Sequence, residues 1–188
     1  PNIEILKIAK FIEGFKSMLK SLSSSNQENP LIALLTPGPL NETYFEHSYL
    51  SSFLDLTLVQ GEDLLVKNNF LWLKSLNGLR RVDTLIRRVD SQYCDPLELR
   101  NDSQLGVAGL VNVVRKDNLS IINPIGVGIL ENIGLNPFMK NIAKYFLNED
   151  LILPQIATWW CGQKKELDFV LQNIKNLIIK KIDKTDNI

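Results

Sequence analysis

Twelve residues, Thr36 to His47, constrain the fold of this chain more than any other stretch. They follow an apolar run, Leu31 to Leu35, pass through Pro37-Gly38-Pro39, and open a helix-like pattern. The apolar run reads as a buried strand. The prolines around Gly38 fix and break the backbone, and Asn41 is among the best residue types for capping a helix. Beyond it, Phe45, Tyr49, Phe53 and Leu54 recur on one helical face, while Glu42 and Glu46 share another. A strand, a tight loop and a helix N-terminus make a pocket edge where backbone N–H groups point outward, which suits a phosphate or a carboxylate. The plainer alternative is a stiff turn, with Glu42 complementing the helix dipole.

The pattern around this unit predicts an α/β fold. Strand, helix and strand over Leu31–Leu35, Asn41–Leu54 and Leu56–Val59 imply a parallel sheet with crossover connections. Leu64 to Ser75 places two alternating segments around Lys67-Asn68-Asn69, a hairpin signal, and Asn77-Gly78 makes a second turn before a strand at Val82–Val89. Further expectations are a helix at Gln104–Arg115, a short strand at Leu119–Ile122, helices around Gly128–Asn132 and Pro137–Leu147, a helix at Lys164–Asn176 and a strand at Leu177–Lys180. Ahead of all this, Ile5, Ile8, Ile12, Phe15, Leu19 and Leu22 alternate spacings of three and four, so the chain opens with an amphipathic helix. Its apolar stripe has no evident partner in the sequence, and packing against another copy of the chain is one way to cover it. A polar linker, Ser23 to Asn29, follows.

Charge and composition narrow the function. At 188 residues and 45% hydrophobic content, the chain can bury one substantial core. Its 21 basic and 21 acidic residues leave no net charge, which argues against nucleic acid or an anionic membrane as the main partner. No apolar run approaches the roughly 20 residues of a membrane span. Cys94 and Cys161 make neither a disulfide framework nor a metal signature, so a reduced, cytoplasmic setting is expected.

The candidate chemistry gathers at strand ends. Arg87 and Arg88 close a predicted strand at the edge where open α/β sheets hold ligands, and a guanidinium can clamp a carboxylate or phosphate with two parallel hydrogen bonds. Alternation turns the two to opposite sides, so one binds and the other is solvated or structural; an ion pair with Asp90 or Asp95 is the competing reading. Glu42 and Glu46, a helical turn apart, could hold an amine or contribute to a metal site, although solvated glutamates are the commoner outcome. His47 is the sole histidine, which excludes a multi-histidine zinc site, and a lone histidine beside aromatics is more often a packed residue than a base. Asn123-Pro124, with Gly126 and Gly128, reads as a strand-to-loop junction but matches neither the P-loop nor the dinucleotide fingerprint. Trp159 and Trp160 suit a core edge, and Cys161 has no neighbouring base to activate it. Asn41, Glu42, Arg87, Arg88 and Asn123 together form the expected substrate-binding group. No catalytic residue and no metal ligand is assigned.

Five blocks carry a resemblance. TPGPLNETYFEH, LRRVDTLIRRVDSQYCDPLEL, SQLGVAGLV, INPIGVGILEN and LPQIATWWCGQ occur in the order shown by the circularly permuted ATP-grasp proteins of type 2, relatives of glutathionylspermidine synthase. The likeness spans roughly Pro30 to Lys180. It departs from the family at Leu40, where an aromatic residue is common, and at Lys181, where proline is common. The resemblance implies an ATP-dependent ligase that activates a carboxylate as an acyl phosphate and joins it to an amine. It also implies a Rossmann-like, pre-ATP-grasp sheet at residues 30–163, carrying a hairpin insertion, behind an N-terminal helix and linker at 1–29. Residues 164–188 would then lead into an ATP-grasp core, with Lys180 as the basic residue that touches nucleotide phosphate in the intact enzyme; the competing reading of Lys180 is a solvated tail. Because the chain opens at Pro1 and stops soon after this lysine, a fragment is expected, inactive alone. ATP and magnesium would serve the intact parent and neither would be held here. The expected partners are a small acid and an amine or peptide as substrates, and the remainder of the parent. A non-catalytic scaffolding module of the same ancestry is the alternative, and a free-standing small-ligand binder is a third reading.

Overall fold

The computed structural model describes residues 8–23 and 28–182. The chain divides into two compact units, 1–126 and 127–188. Both α-helix and two separate sheets are present, so the protein is a mixed α/β molecule.

In the first unit, strands β1 (Ile32–Leu35), β2 (Thr57–Val59), β6 (Thr84–Arg87) and β7 (Ser120–Ile122) form a parallel sheet in the order β2-β1-β6-β7. Helix α2 (Tyr44–Leu54) links β1 to β2, and helix α3 (Leu110–Arg115) lies between β6 and β7. The chain therefore winds outward in both directions from the β1–β6 pair. Alternation sorts the side chains. Ala33, Leu35 and Leu85 face a core shared with Leu110 and Val113, whereas Leu34 and Ile86 face the opposite side with Leu50. Leu34, Leu35 and Leu85 are fully buried, each contributing about 1.5–3 kcal/mol of apolar transfer.

A second, antiparallel sheet of β3 (Leu64–Lys67), β4 (Phe70–Ser75) and β5 (Gly78–Arg81) adds Leu64, Leu71 and Leu73 to the larger core. Its first turn is the expected hairpin: Asn68 and Asn69 take φ of 52° and 62°, the left-handed pair that a two-residue loop demands. The second turn is followed by a four-residue strand, β5, that the pattern of turn residues did not reveal.

Helix α1 (Ala9–Ser21) finds its partner within the chain. Leu19 is fully buried in one cluster with Leu34 and Ile86, and Phe15 packs against them. Of the expected stripe, Phe15 and Leu19 are thus seated on the parallel sheet, whereas Ile8 and Leu22 are 60% and 46% exposed, and Phe11 and Met18, outside it, are exposed too. The part of the linker at 24–27, and Ile5 of the stripe, lie outside the described residues.

Main chain meets main chain at two glycines. An added Cβ at Gly61 would lie 2.6 Å from the Gly106 carbonyl oxygen, and one at Gly106 would fall on the carbonyls of Tyr93 and Cys94. Nearby, Asp95 is fully buried and ties the start of α3: its Oδ1 accepts from the amides of Leu97 (2.9 Å) and Gly109 (3.1 Å), and its Oδ2 from Val111 (2.9 Å). Three charge-assisted bonds account for a carboxylate without water.

The second unit carries α4 (Met139–Leu147) and α5 (Lys164–Asn173), several 3-10 turns and a set of aromatic contacts. Trp160 meets Phe138 edge-on with centroids 6.1 Å apart, and Trp159 lies 4.9 Å from Phe169. Leu177 to Lys180, expected as a strand, pairs with no strand among the described residues, and Ile178 is 87% exposed. A cleft of about 260 Å³ opens among Asn136, Leu153, Gln155 and Thr158.

Candidate functional site

The C-terminal ends of β1 and β6 meet where the sheet's connections diverge, the position at which open α/β sheets leave a crevice. Register sets the neighbours: Leu35 pairs with Arg87, and the Arg88 amide donates to the Leu35 carbonyl at 2.9 Å. The proline-flanked loop and the two arginines therefore share one edge.

A directional hydrogen-bond chain shapes that loop. The Thr43 amide donates to Asn41 Oδ1 at 3.0 Å, which identifies that atom as oxygen, and the Thr43 hydroxyl donates to it at 2.6 Å. Since that hydroxyl proton is spent, His47 Nε2, 3.1 Å away, must be the donor to Thr43. His47 Nδ1 is then an acceptor for the Thr36 hydroxyl at 2.9 Å, which in turn accepts from the Gly38 amide at 3.3 Å. Each proton has one acceptor. The histidine is a neutral Nε2–H tautomer, 2% exposed, and its pKa is lowered by burial and by the Arg88 charge, with Glu46 opposing. This is the packed histidine that the sequence favoured over a base.

The loop differs from expectation in two ways. Asn41 is not the N-cap residue: α2 starts at Tyr44, its N-cap is Thr43, whose own side chain makes no capping hydrogen bond, and Asn41 reaches the helix only through the Thr43 amide and hydroxyl. Nor are the loop amides all directed outward, because Gly38, Asn41, Thr43 and Tyr44 donate within the loop itself. Gly38 adopts φ of 100°, open to glycine and strained for other residues, with the Gln60 side chain against it.

Arg87 and Arg88 take opposite roles, as alternation requires. Arg87 is buried and forms no carboxylate ion pair among the described residues; Nε donates to the Asn123 carbonyl at 2.7 Å, Nη1 to the Val89 carbonyl and Nη2 to the Pro124 carbonyl at 3.4 Å. Asn123, at φ of 59°, returns a bond from Nδ2 to the Arg87 carbonyl at 3.3 Å. The expected pairing of an arginine here with Asp90 or Asp95 does not form. Arg88 turns outward onto Glu46 through Nη2, and its Nε is buried without a hydrogen-bond partner among the described residues.

Of the expected group, Asn41 and Arg88 thus line the switch-point edge, Glu42 is exposed at the foot of α2, and Arg87 with Asn123 clamps the neighbouring strand exits. Lys180 belongs to the second unit and is exposed. Sequence reasoning missed Thr36 and Thr43, although the Thr43–His47 spacing of four was a legible helical neighbour. Phe45, Tyr49 and Phe53 are 83%, 58% and 40% exposed, with the last two rings stacked, while Leu54 lies on the other side with His47 and Ser51. The aromatic stripe faces out.

Among the described residues no group of three His, Cys, Asp or Glu could hold a metal, and no helix is long and apolar enough to cross a membrane. Comparison with known proteins adds kinship. The sequence model of the family described as circularly permuted ATP-grasp type 2 matches residues 1–188. An uncharacterized protein of Mycobacterium bovis is 38% identical over 170 residues, covering 90% of this chain and 19% of its own length. An uncharacterized protein of Mycobacterium tuberculosis is 35% identical over 187 residues, 97% of this chain and 34% of the relative. One from Synechocystis is 32% identical over 179 residues, 95% of this chain and 37% of the relative. The chain therefore spans between 19% and 37% of the length of these relatives.

Proposed function

Because the chain belongs to the circularly permuted ATP-grasp type 2 family, we propose that it is part of an ATP-dependent ligase joining a carboxylate to an amine, and that this stretch binds substrate without catalysing alone. The subtype nearest glutathionylspermidine synthase is part of the proposal, as is a cytoplasmic location. The observation that carries the reading is the junction of β1 and β6, where Arg88 and the Thr36–Thr43 loop share the switch-point edge of the parallel sheet, which this reading takes as Rossmann-like. In this reading residues 30–163 form the pre-ATP-grasp domain behind the helix and linker at 1–29, and 164–188 lead toward a nucleotide-binding core that includes Lys180. ATP would supply phosphoryl activation of the acid. The role ascribed to this stretch is binding and orientation of a small acid, an amine or a peptide, with ATP and magnesium serving the intact parent.

The chain's coverage of at most 37% of these relatives favours a partial catalytic apparatus, and so do the bare side chains of the second unit. There, among the described residues, only Ala143 and Val170 are buried apolar side chains, whereas Ile152, Leu153, Ile156 and Ile178 are at least 80% exposed. The remainder of the parent is the proposed cover, and neither nucleic acid nor membrane is a proposed partner. A homodimer through the N-terminal helix, whose Phe11 and Met18 are exposed, is the second cover this reading proposes. The test is ADP release: a longer chain of the family supplied with ATP, magnesium, an acid and an amine releases ADP, and the 188-residue chain does not. Tight ATP binding by the 188-residue chain in a calorimetric titration would contradict the division of labour. A scaffolding role has one observation in its favour, the exposed Phe45–Tyr49–Phe53 stripe, and predicts no ADP release from either chain.

A further inference from the structure

The Arg88 guanidinium is half used. Its Nε–H and one Nη2–H point to the same side, the side-on fork that takes both oxygens of a carboxylate. Glu46 engages Nη2 alone, and Nε, removed from solvent, has no hydrogen-bond partner among the described residues. A buried donor left unmet is disfavoured, and native structures seldom keep one without a reason.

We infer that Arg88 is a receptor for the carboxylate of the acid substrate, and that Glu46 is an internal stand-in that the substrate displaces. The inference rests on the substrate-binding reading above and specifies its chemistry. Three observations converge on it. The side chains of Arg88 and Glu46 are 30% and 60% exposed, and an ion pair so open to water is held weakly, so an entering anion can replace it. Once released, Glu46 remains in the first turn of α2, where a negative charge is favoured by the helix dipole. A ligand carboxylate would gain two charge-assisted bonds in place of one and satisfy Nε, whereas Glu46 satisfies only Nη2.

The site suits one negative charge. Arg87, the adjacent cation, spends its donors on the carbonyls of Val89, Asn123 and Pro124, and His47 is held neutral between two hydroxyls. A single open fork matches a monocarboxylate better than a dianionic phosphate. Thr36 and Thr43 spend their hydroxyl protons within the loop, which leaves Arg88 as the charged donor at this edge.

The experiment follows Arg Nε–H and backbone amide NMR signals of the 188-residue chain during titration with acetate, N-acetylglycine and inorganic phosphate. Acetate and N-acetylglycine should shift the Arg88 Nε–H signal saturably. Glu46→Gln should tighten that binding about two- to fivefold, the factor that corresponds to losing a partly exposed ion pair. Arg88→Lys keeps the charge without the fork and should abolish the saturable shifts of the backbone amides around the site, while its amide spectrum stays dispersed. Unchanged or weaker binding in Glu46→Gln, a persisting response in Arg88→Lys, or tighter binding of phosphate than of acetate at this site each overturns the inference. ADP release by the longer chain is read separately: turnover without acetate binding sinks the receptor and spares the ligase, and acetate binding without turnover does the reverse.

Discussion

His47 is held by what its two neighbours can and cannot donate. Thr43 gives its proton to Asn41 and Thr36 gives its own to the ring, so a second ring proton would turn the Thr36 hydroxyl from donor to acceptor and take from it the ring nitrogen its proton now uses. Burial and Arg88 lower its pKa below the usual 6.5, and this yields a signed prediction. Where the folded pKa lies beneath the unfolded one, the unfolded chain takes up the proton first. Stability is then complete above about pH 6.5 and declines as the pH falls toward the folded value. Urea midpoints measured from about pH 7.5 down to about pH 5 should decrease, and His47→Asn should flatten that slope. Parallel slopes would remove His47 as the origin. A lone histidine on a helix with aromatic neighbours was enough to suggest a packed residue. Its hydroxyl partner at Thr36 was not visible, because only the fold of the proline-rich loop brings the two together.

At the scale of elements, alternation and turn chemistry carried most of the information. The β1–α2–β2 unit, the Asn68-Asn69 hairpin and β7 follow from apolar runs and turn residues alone. Periodicity identified a stripe on α2 but could not tell which side of the helix meets the sheet. The aromatics at Phe45, Tyr49 and Phe53 are exposed, and the buried side uses His47 and Ser51, whose polar atoms are satisfied by Thr36, Thr43 and the Leu56 carbonyl. Leu177–Lys180 has the composition of a strand, yet a strand exists only through a hydrogen-bonded neighbour. Helix α1 offers a direct check on its seat. Leu19→Ala should cost about 2–5 kcal/mol, because a fully buried leucine leaves a cavity between Leu34 and Ile86. Denaturant unfolding reads this directly, and a loss below about 1 kcal/mol would mean that α1 does not rest on the sheet.

For the molecule as a whole, burial is unevenly shared. Both apolar clusters lie in residues 1–126, and the second unit buries few of its large side chains. The two thiols sample the two units. Cys94 is fully buried, and burial pushes its pKa up to about 11, whereas Cys161 is exposed. With Ellman's reagent at neutral pH, Cys161 should react promptly and Cys94 only when the first unit opens, so that adding denaturant releases a second equivalent. Equal rates in the native chain would show that the larger core is not closed. Composition foretold a single substantial core, whereas its confinement to the first unit depends on the second sheet joining it, a long-range event that no local window records.

The contacts at Gly61 and Gly106 have a practical corollary. Three segments distant in sequence are interlocked there backbone against backbone, with no side chain to give way. A graft or insertion in any one of these loops therefore has to carry the other two, and loop exchange between relatives should succeed only when the three are transplanted as a set.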